Sequence, residues 1–419
     1  MYNAKATGGD SMNTLKTNTT TATILTDKKV ISVRKIFEGN LRQYGMLFAL
    51  VAIMILFEIL TDGILLVPQN VTNLVLQNSY VMILAIGMML CILSGGNIDL
   101  SVGSVVALVG SVIGVLIVTY NISMYIAIPI GLLIGLAIGI WQGFWIAYVR
   151  IPAFIVTLAG MLLFRGLTLA ILKGQTISPF PDEFLVISSG FIPDFISISS
   201  ISLNLTAIVT GIIVSIVYVC LAISKRNGRK KLGLEVKPNL IFIFQTVLIL
   251  VTVNLFTIWL ADYKGIPVIL VLIAILIIAY SFMTTKTVPG RYIYAMGGNE
   301  KAAKLSGINT NKVLFGAYVN MGVLAAVTGI VFTARLQAAT PTAGNNFELD
   351  AIAACFIGGA SATGGAGTII GAIIGALVMG VLNNGMSILG LGSEWQMAIK
   401  GFVLLMAVAF DVVSKMKSK

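Results

Sequence analysis

The chain has 419 residues, 58% of them hydrophobic and only 10% charged, with a formal charge of +11 and a mean hydropathy of +0.99. That balance excludes a soluble domain, whose helices would alternate apolar stripes with charged faces. A bilayer core of about 30 Å takes about 20 apolar residues per helix, and the many such runs predict an all-α polytopic membrane protein.

The chain opens with a polar leader, 1–43, rich in Thr and Asn through Thr26 (TLKTNTTTATILT), whose composition predicts disorder. No cleavable signal sequence is expected ahead of the first apolar run at Tyr44. Just before that run, DKKVISVRKIFEGNLRQYG spaces Lys28, Lys29, Arg34, Lys35 and Arg42 among Val, Ile and Phe. Such a stretch suits either a basic helix on anionic headgroups or a solvated tail. The predicted membrane domain occupies 44–412, and a basic tail, 413–419, ends the chain.

Crossings are predicted at 44–60, 79–93, 101–120, 124–149, 153–172, 204–223, 240–261, 268–283, 313–334 and 396–412, about ten in all. The stretch AIAACFIGGASATGGAGTIIGAIIGALVMGVLNNG (351–385) must then cross an even number of times. A half-helix, a break at GGASATGG and a return helix satisfy that parity.

Lysine and arginine set the orientation. They gather before the first span, in KRNGRKKLGLEVK (225–237), in the charged segment 285–312 and at Lys415, Lys417 and Lys419. Positive residues stay inside, so both termini and both loops are expected in the cytoplasm. The segment 173–203, acidic at Asp182, Glu183 and Asp194, falls outside, as does 335–350. The net charge is thereby explained without nucleic acid.

A second break, LSGGNIDLSVGSVVALVG (93–110), repeats the pattern of apolar stretch, double glycine and small-residue helix. Two related halves with broken or re-entrant segments follow, with a substrate path where the halves meet, or else the glycines only allow close packing between helices. Gly131, Gly135, Gly139 and Gly143 recur every fourth residue, as do Gly367, Gly371 and Gly375, a spacing that lets helix backbones approach. Cys91, Cys220 and Cys355 each sit in an apolar stretch and read as small hydrophobes.

Within GGNIDLSVGS, Asp99 is an ionisable group in an uncharged stretch, which invites a functional role, or it caps the helix that follows. Asn97 and Ser101 offer hydrogen bonds to a polar solute or to the backbone. Asn320, Gln337, Asn383 and Asn384 are the other candidates for a polar path, or else they join helices.

In YAMGGNEKAAKLSGIN (294–309), Asn299 is a good N-cap, Glu300 and Lys304 form an i,i+4 pair, and Gly307 is placed to end the helix left-handed. A helix so short is marginal alone in water and must dock. There is no histidine, no carboxylate cluster in the spans and no GxxxxGK[ST] loop, so metal, cofactor and nucleotide chemistry have no predicted home in this chain.

RYIYAMGGNEKAAKLSGIN resembles the cytoplasmic coupling loop of permease subunits of bacterial monosaccharide ABC importers, the ribose, xylose and galactose group. GGNIDLSVGS, PAFIVTLAGMLLFRG and ELDAIAACFIGGASATGGAGTIIGAIIGALVMGVLNNG carry the same resemblance, which spans nearly all of 44–412. The pair of spans after residue 225 is similar to the longer xylose-type and multiple-sugar permeases. The resemblance implies a separate ATP-binding subunit that grips Gly297, Gly298, Asn299, Glu300, Ala303, Lys304, Ser306 and Gly307. It also implies an extracytoplasmic sugar-binding protein facing 173–203 and a second permease copy. The expected function is import of a neutral monosaccharide across the bacterial plasma membrane. The rival, an ion-coupled secondary carrier, would need acidic residues at mid-span, and apart from Asp99 almost none are expected there.

Overall fold

The computed structural model describes residues 33–196, 203–234, 236 and 238–417. The predicted leader up to residue 32 therefore lies outside the described residues. The described residues form fifteen α-helices: α1 Val33–Leu60, α2 Pro68–Leu93, α3 Val102–Gly114, α4 Met124–Ala147, α5 Ala153–Leu172, α6 Asp182–Ser189, α7 Leu205–Lys231, α8 Asn239–Ala261, α9 Val268–Lys286, α10 Val288–Gly298, α11 Glu300–Leu305, α12 Thr310–Leu336, α13 Phe347–Ile357, α14 Ile369–Ile388 and α15 Ser393–Lys417. Among the described residues no strand forms, only the isolated bridges Ile177–Ala339 and Phe191–Pro267.

Nine of these helices are long and apolar enough to cross a bilayer: α2, α3 with its final π-turn, α4, α5, α7, α8, α9, α12 and α14. The apolar part of α1, Gly45–Leu60, is shorter. Two expectations change. The second crossing starts at Pro68 rather than residue 79, because Pro68 occupies the first helical turn and Asn70, Thr72 and Asn78 after it are hydrogen-bonded within the protein. Residues 413–417 continue α15 rather than forming a separate tail. The half-helix and the return helix expected on either side of the GGASATGG break are α13, of 11 residues, and α14, of 20.

The architecture is concentric. α2 is the hub, with 89% of its apolar window buried, and α9, α12, α13 and α14 pack around it. α7 and α8 form an outlying hairpin, with 11% and 0% of their windows buried. The Gly131–Gly143 ladder lies along the inner helices. A methyl group on Gly135 would strike the Gly322 carbonyl, one on Gly139 would strike Tyr318 and Val319, and one on Gly143 would reach Phe315. In the same way Gly371 and Gly375 of α14 meet the carbonyls of Gly358 and Ala354. Both small-residue seams are thus used inside the chain, where lipid supplies no hydrophobic drive and close backbone contact replaces it.

Of the outer segment expected at 173–203, the described residues 173–196 are anchored. α6 seats Phe184 with no exposure, and Asp194 accepts hydrogen bonds from the Thr206 hydroxyl (2.7 Å) and from the backbone of Ile196, Leu205 and Thr206. The Thr206 hydroxyl, first of all, holds the Asp194 carboxyl below its ordinary range. Asn204 caps the start of α7 by accepting from Ala207 N–H at 2.9 Å.

Candidate functional site

The two breaks meet. Between α2 and α3 the chain turns through Gly95 (φ +125°) and Gly96 (φ +74°), and between α13 and α14 through Gly364 (φ +84°) and Gly365 (φ +70°). These are left-handed conformations that side chains adopt only with strain. A methyl group on Gly96 would strike the Ala362 carbonyl, and one on Gly364 would lie 2.6 Å from Gly95 Cα. Gly365 N–H donates to the Leu93 carbonyl at 3.1 Å, so a backbone bond ties one break to the other.

A third segment joins them. α10 ends at Gly297–Gly298, and Gly297 has no room for a side chain, because the Leu93 carbonyl and Gly365 occupy that space. Gly365 in turn lies against Gly298 backbone atoms. The Tyr294 hydroxyl donates to the Gly367 carbonyl at 2.8 Å. Immediately beyond, α11 is the short helix that the sequence predicts: Asn299 accepts from Ala302 N–H at 3.0 Å, Ala303 is buried, and Gly307 (φ +84°) closes the end. Ser306 Oγ donates to the Ala302 carbonyl at 3.0 Å. Glu300 does not use Lys304. It pairs with Arg150 at 2.9 Å, and Arg150 also bonds Asn311, so the α4–α5 turn clamps α11 from the side. The cross-helix partner wins because its planar guanidinium reaches two acceptors at once. Lys304 stays exposed, and Leu305 is 90% exposed.

The candidates for a polar path are spread over several helix contacts. Asp99 is buried and accepts from Ser101 N–H (2.9 Å) and Ser101 Oγ (2.6 Å), so it grips the residue before α3 rather than the first-turn N–H groups. The Ser101 hydroxyl also accepts from Gln142 Nε2 at 2.6 Å, and Gly160 leaves the space for that contact. Gln142, overlooked in the sequence, is a single amide in the apolar run IGIWQGFW. Asn97 donates to the Ser94 carbonyl (3.4 Å), completing a locally satisfied loop. Asn320 accepts from the Tyr280 hydroxyl and joins α12 to α9. Asn384 exchanges two side-chain hydrogen bonds with Asn70, each amide N–H donating to the other's carbonyl oxygen at 2.8 and 3.0 Å, and joins α14 to α2. Gln337 is an exposed left-handed C-cap of α12 (φ +57°), and Asn383 lies in α14 beside Asn384. The Asn70→Ala/Asn384→Ala cycle should therefore show a coupling of about 0.6–2 kcal/mol in detergent unfolding, with activity affected only through stability.

The structure also moves charge inward. The segment 335–350 was expected outside, yet from Gln337 the chain dips back into the bundle, and Gly344 and Gly103 are in backbone contact. Arg165 of α5 holds the dip by donating to the carbonyls of Pro341 (3.0 Å) and Ala343 (2.6 Å). α13 then begins beside Tyr80 in mid-α2. Phe347 stacks on the Tyr80 ring at 3.8 Å, and the Tyr80 hydroxyl donates to Asp350 at 2.8 Å. Lys400 of α15 completes the cluster, 3.1 Å from Asp350. Mid-span acid therefore exists at Asp350, but paired and hydrogen-bonded. The signal for it was the i,i+2 acids of FELDAIAA in an otherwise apolar helix, which the charge rule had assigned to an outer loop.

Residues 70–408 match the family described as "Branched-chain amino acid transport system / permease component". A xylose transport system permease protein of Haemophilus influenzae is 41% identical over 387 residues, covering 91% of this chain and 99% of that protein. The Escherichia coli K12 protein of the same name is 40% identical over 380 residues, covering 90% and 94%. A ribose import permease protein of Escherichia coli K12 is 34% identical over 384 residues, covering 91% and 98%. No solved structure gives a significant match. With membrane-length helices, two interlocked breaks and a match over most of its length, the chain belongs to this family of transport permeases.

Proposed function

We propose that the chain is the membrane subunit of an ATP-driven importer that passes a neutral monosaccharide, xylose or a related pentose or hexose, inward across the bacterial plasma membrane. The observation that carries this is the junction of Gly297 with both breaks. A partner ATPase that moves α11 moves the two irregular segments with it, and irregular backbone at membrane depth is where transporters place their substrate path. Exposed Leu305 and Lys304 offer that partner an apolar and a basic contact. α11, both termini and the α7–α8 turn lie in the cytoplasm, as the positive residues require. A sugar-binding protein docks at the opposite end, over α6 and the anchored segment around it, and a second permease copy completes the pathway. The names of the xylose and ribose relatives support the sugar class. The ion-coupled alternative loses ground because Asp350 already has Lys400 and Tyr80 as partners.

Gly307→Val tests the coupling role. A β-branched residue in the left-handed region costs about 1–2 kcal/mol and distorts the end of α11, where a methyl group would otherwise meet open space. Reconstituted with its ATPase and binding protein, the variant should hydrolyse ATP without matching sugar uptake, while protease resistance of the membrane domain stays unchanged. Normal uptake would make α11 a passive surface feature. Accumulation of sugar by the permease alone, on an ion gradient, would favour the carrier instead.

A further inference from the structure

We propose that the outlying α7–α8 hairpin carries a binding site for an anionic phospholipid headgroup. A cavity of about 240 Å³ opens between the two helices where the apolar run of α7 gives way to its basic end. Lys225 and Arg229 of α7 border it, with Tyr218 deeper and Gln245 and Thr246 facing from α8. From Tyr218 to Arg229 is about 16 Å along the helix, enough to pass from acyl-chain depth to headgroup level.

Arg226 organises the wall. Its guanidinium lies 4.4 Å over the Phe242 ring and bonds Asn239, so α8 fixes it in place. Lys225 and Arg229 are exposed at the rim, positioned to meet a phosphate by charge-assisted hydrogen bonds.

Lipid, rather than free phosphate, is the occupant because the site is amphiphilic. Tyr218, Ala222, Val236 and Phe242 line the same cavity as the cations, and Leu221, one helical turn before Lys225, is 64% exposed. Those side chains would face acyl chains, and a freely dissolved anion would have no use for them. The cavity lies at the same end of the bundle as α11. α7 and α9 both start at the opposite end, where Ala207, Ala261 and Ile266 cluster, and both run toward α11. Basic pockets between helices on that face are where acidic headgroups are held.

The test uses the full chain purified in detergent, with mass spectrometry of the intact protein after adding phosphatidylglycerol, phosphatidylcholine or sodium phosphate. Phosphatidylglycerol should be retained about tenfold more than phosphatidylcholine, and the Lys225→Gln/Arg229→Gln variant should lose that preference. The charge-conserving Lys225→Arg/Arg229→Lys variant should keep it, which guards against a fold defect in the neutral one. Equal retention of both lipids by the native chain, or an undiminished preference in the neutral variant, would overturn the proposal. Displacement of the lipid by millimolar phosphate would also overturn it, by showing a free-anion site.

Discussion

Replacing Lys400 with methionine should destabilise the protein by about 3–5 kcal/mol, the cost of leaving a buried charge without its partner. Asp350 has 3% of its side chain exposed and holds Lys400 at 3.1 Å. Among the described residues the Tyr80 hydroxyl at 2.8 Å is then its one remaining donor, and a single neutral hydrogen bond does not offset a carboxylate inside the bundle. The cavity of about 80 Å³ that borders both residues is large enough for water, which softens the loss without cancelling it. Asp350→Asn alone should cost less, because the amide still accepts from Tyr80 and Lys400 retains 20% side-chain exposure. The Asp350→Asn/Lys400→Met pair should recover most of the stability lost by Lys400→Met. Unfolding midpoints in a denaturant series check this order. If Lys400→Met unfolds with the native midpoint, Asp350 is not held as described.

Gly297→Val should abolish transport, and Gly298→Ala should leave it intact, although the two glycines are adjacent and look alike in sequence. The first Cβ of a residue at 297 would overlap the Leu93 carbonyl and crowd Gly365 N–H, both backbone groups with no rotamer to yield. Overpacking costs up to about 3 kcal/mol even where side chains can move, and here the bond from Gly365 N–H to Leu93 O would have to open. Position 298 has open space on its Cβ side, so alanine there adds helix propensity of roughly 0.5–1 kcal/mol. Sugar uptake and ATPase stimulation in the reconstituted importer distinguish the two. Equal activity of both variants would break the link between α10 and the breaks.

Much of this protein could be read locally. Length of apolar run fixed most of the crossings, glycine pairs marked both breaks, and Asn299 and Gly307 bounded α11, because caps, left-handed turns and membrane thickness depend on a few consecutive residues. Glycine spacing likewise found the seams, though not their partners.

Tertiary structure decided what those elements meet. Pro68 to Asn78 looked too polar to cross, but Asn78 is 2% exposed and Asn70 pairs with Asn384, more than 300 residues away in sequence. Glu300 took Arg150 across the fold in preference to Lys304 on its own helix. The acids of α13 looked external by charge, yet one is neutralised by a lysine that only the docking of α15 brings near. The physical reason is common to all three. In a medium without water a polar group is satisfied only by another protein group, and which one lies within reach is a property of the packed bundle rather than of neighbours in the chain.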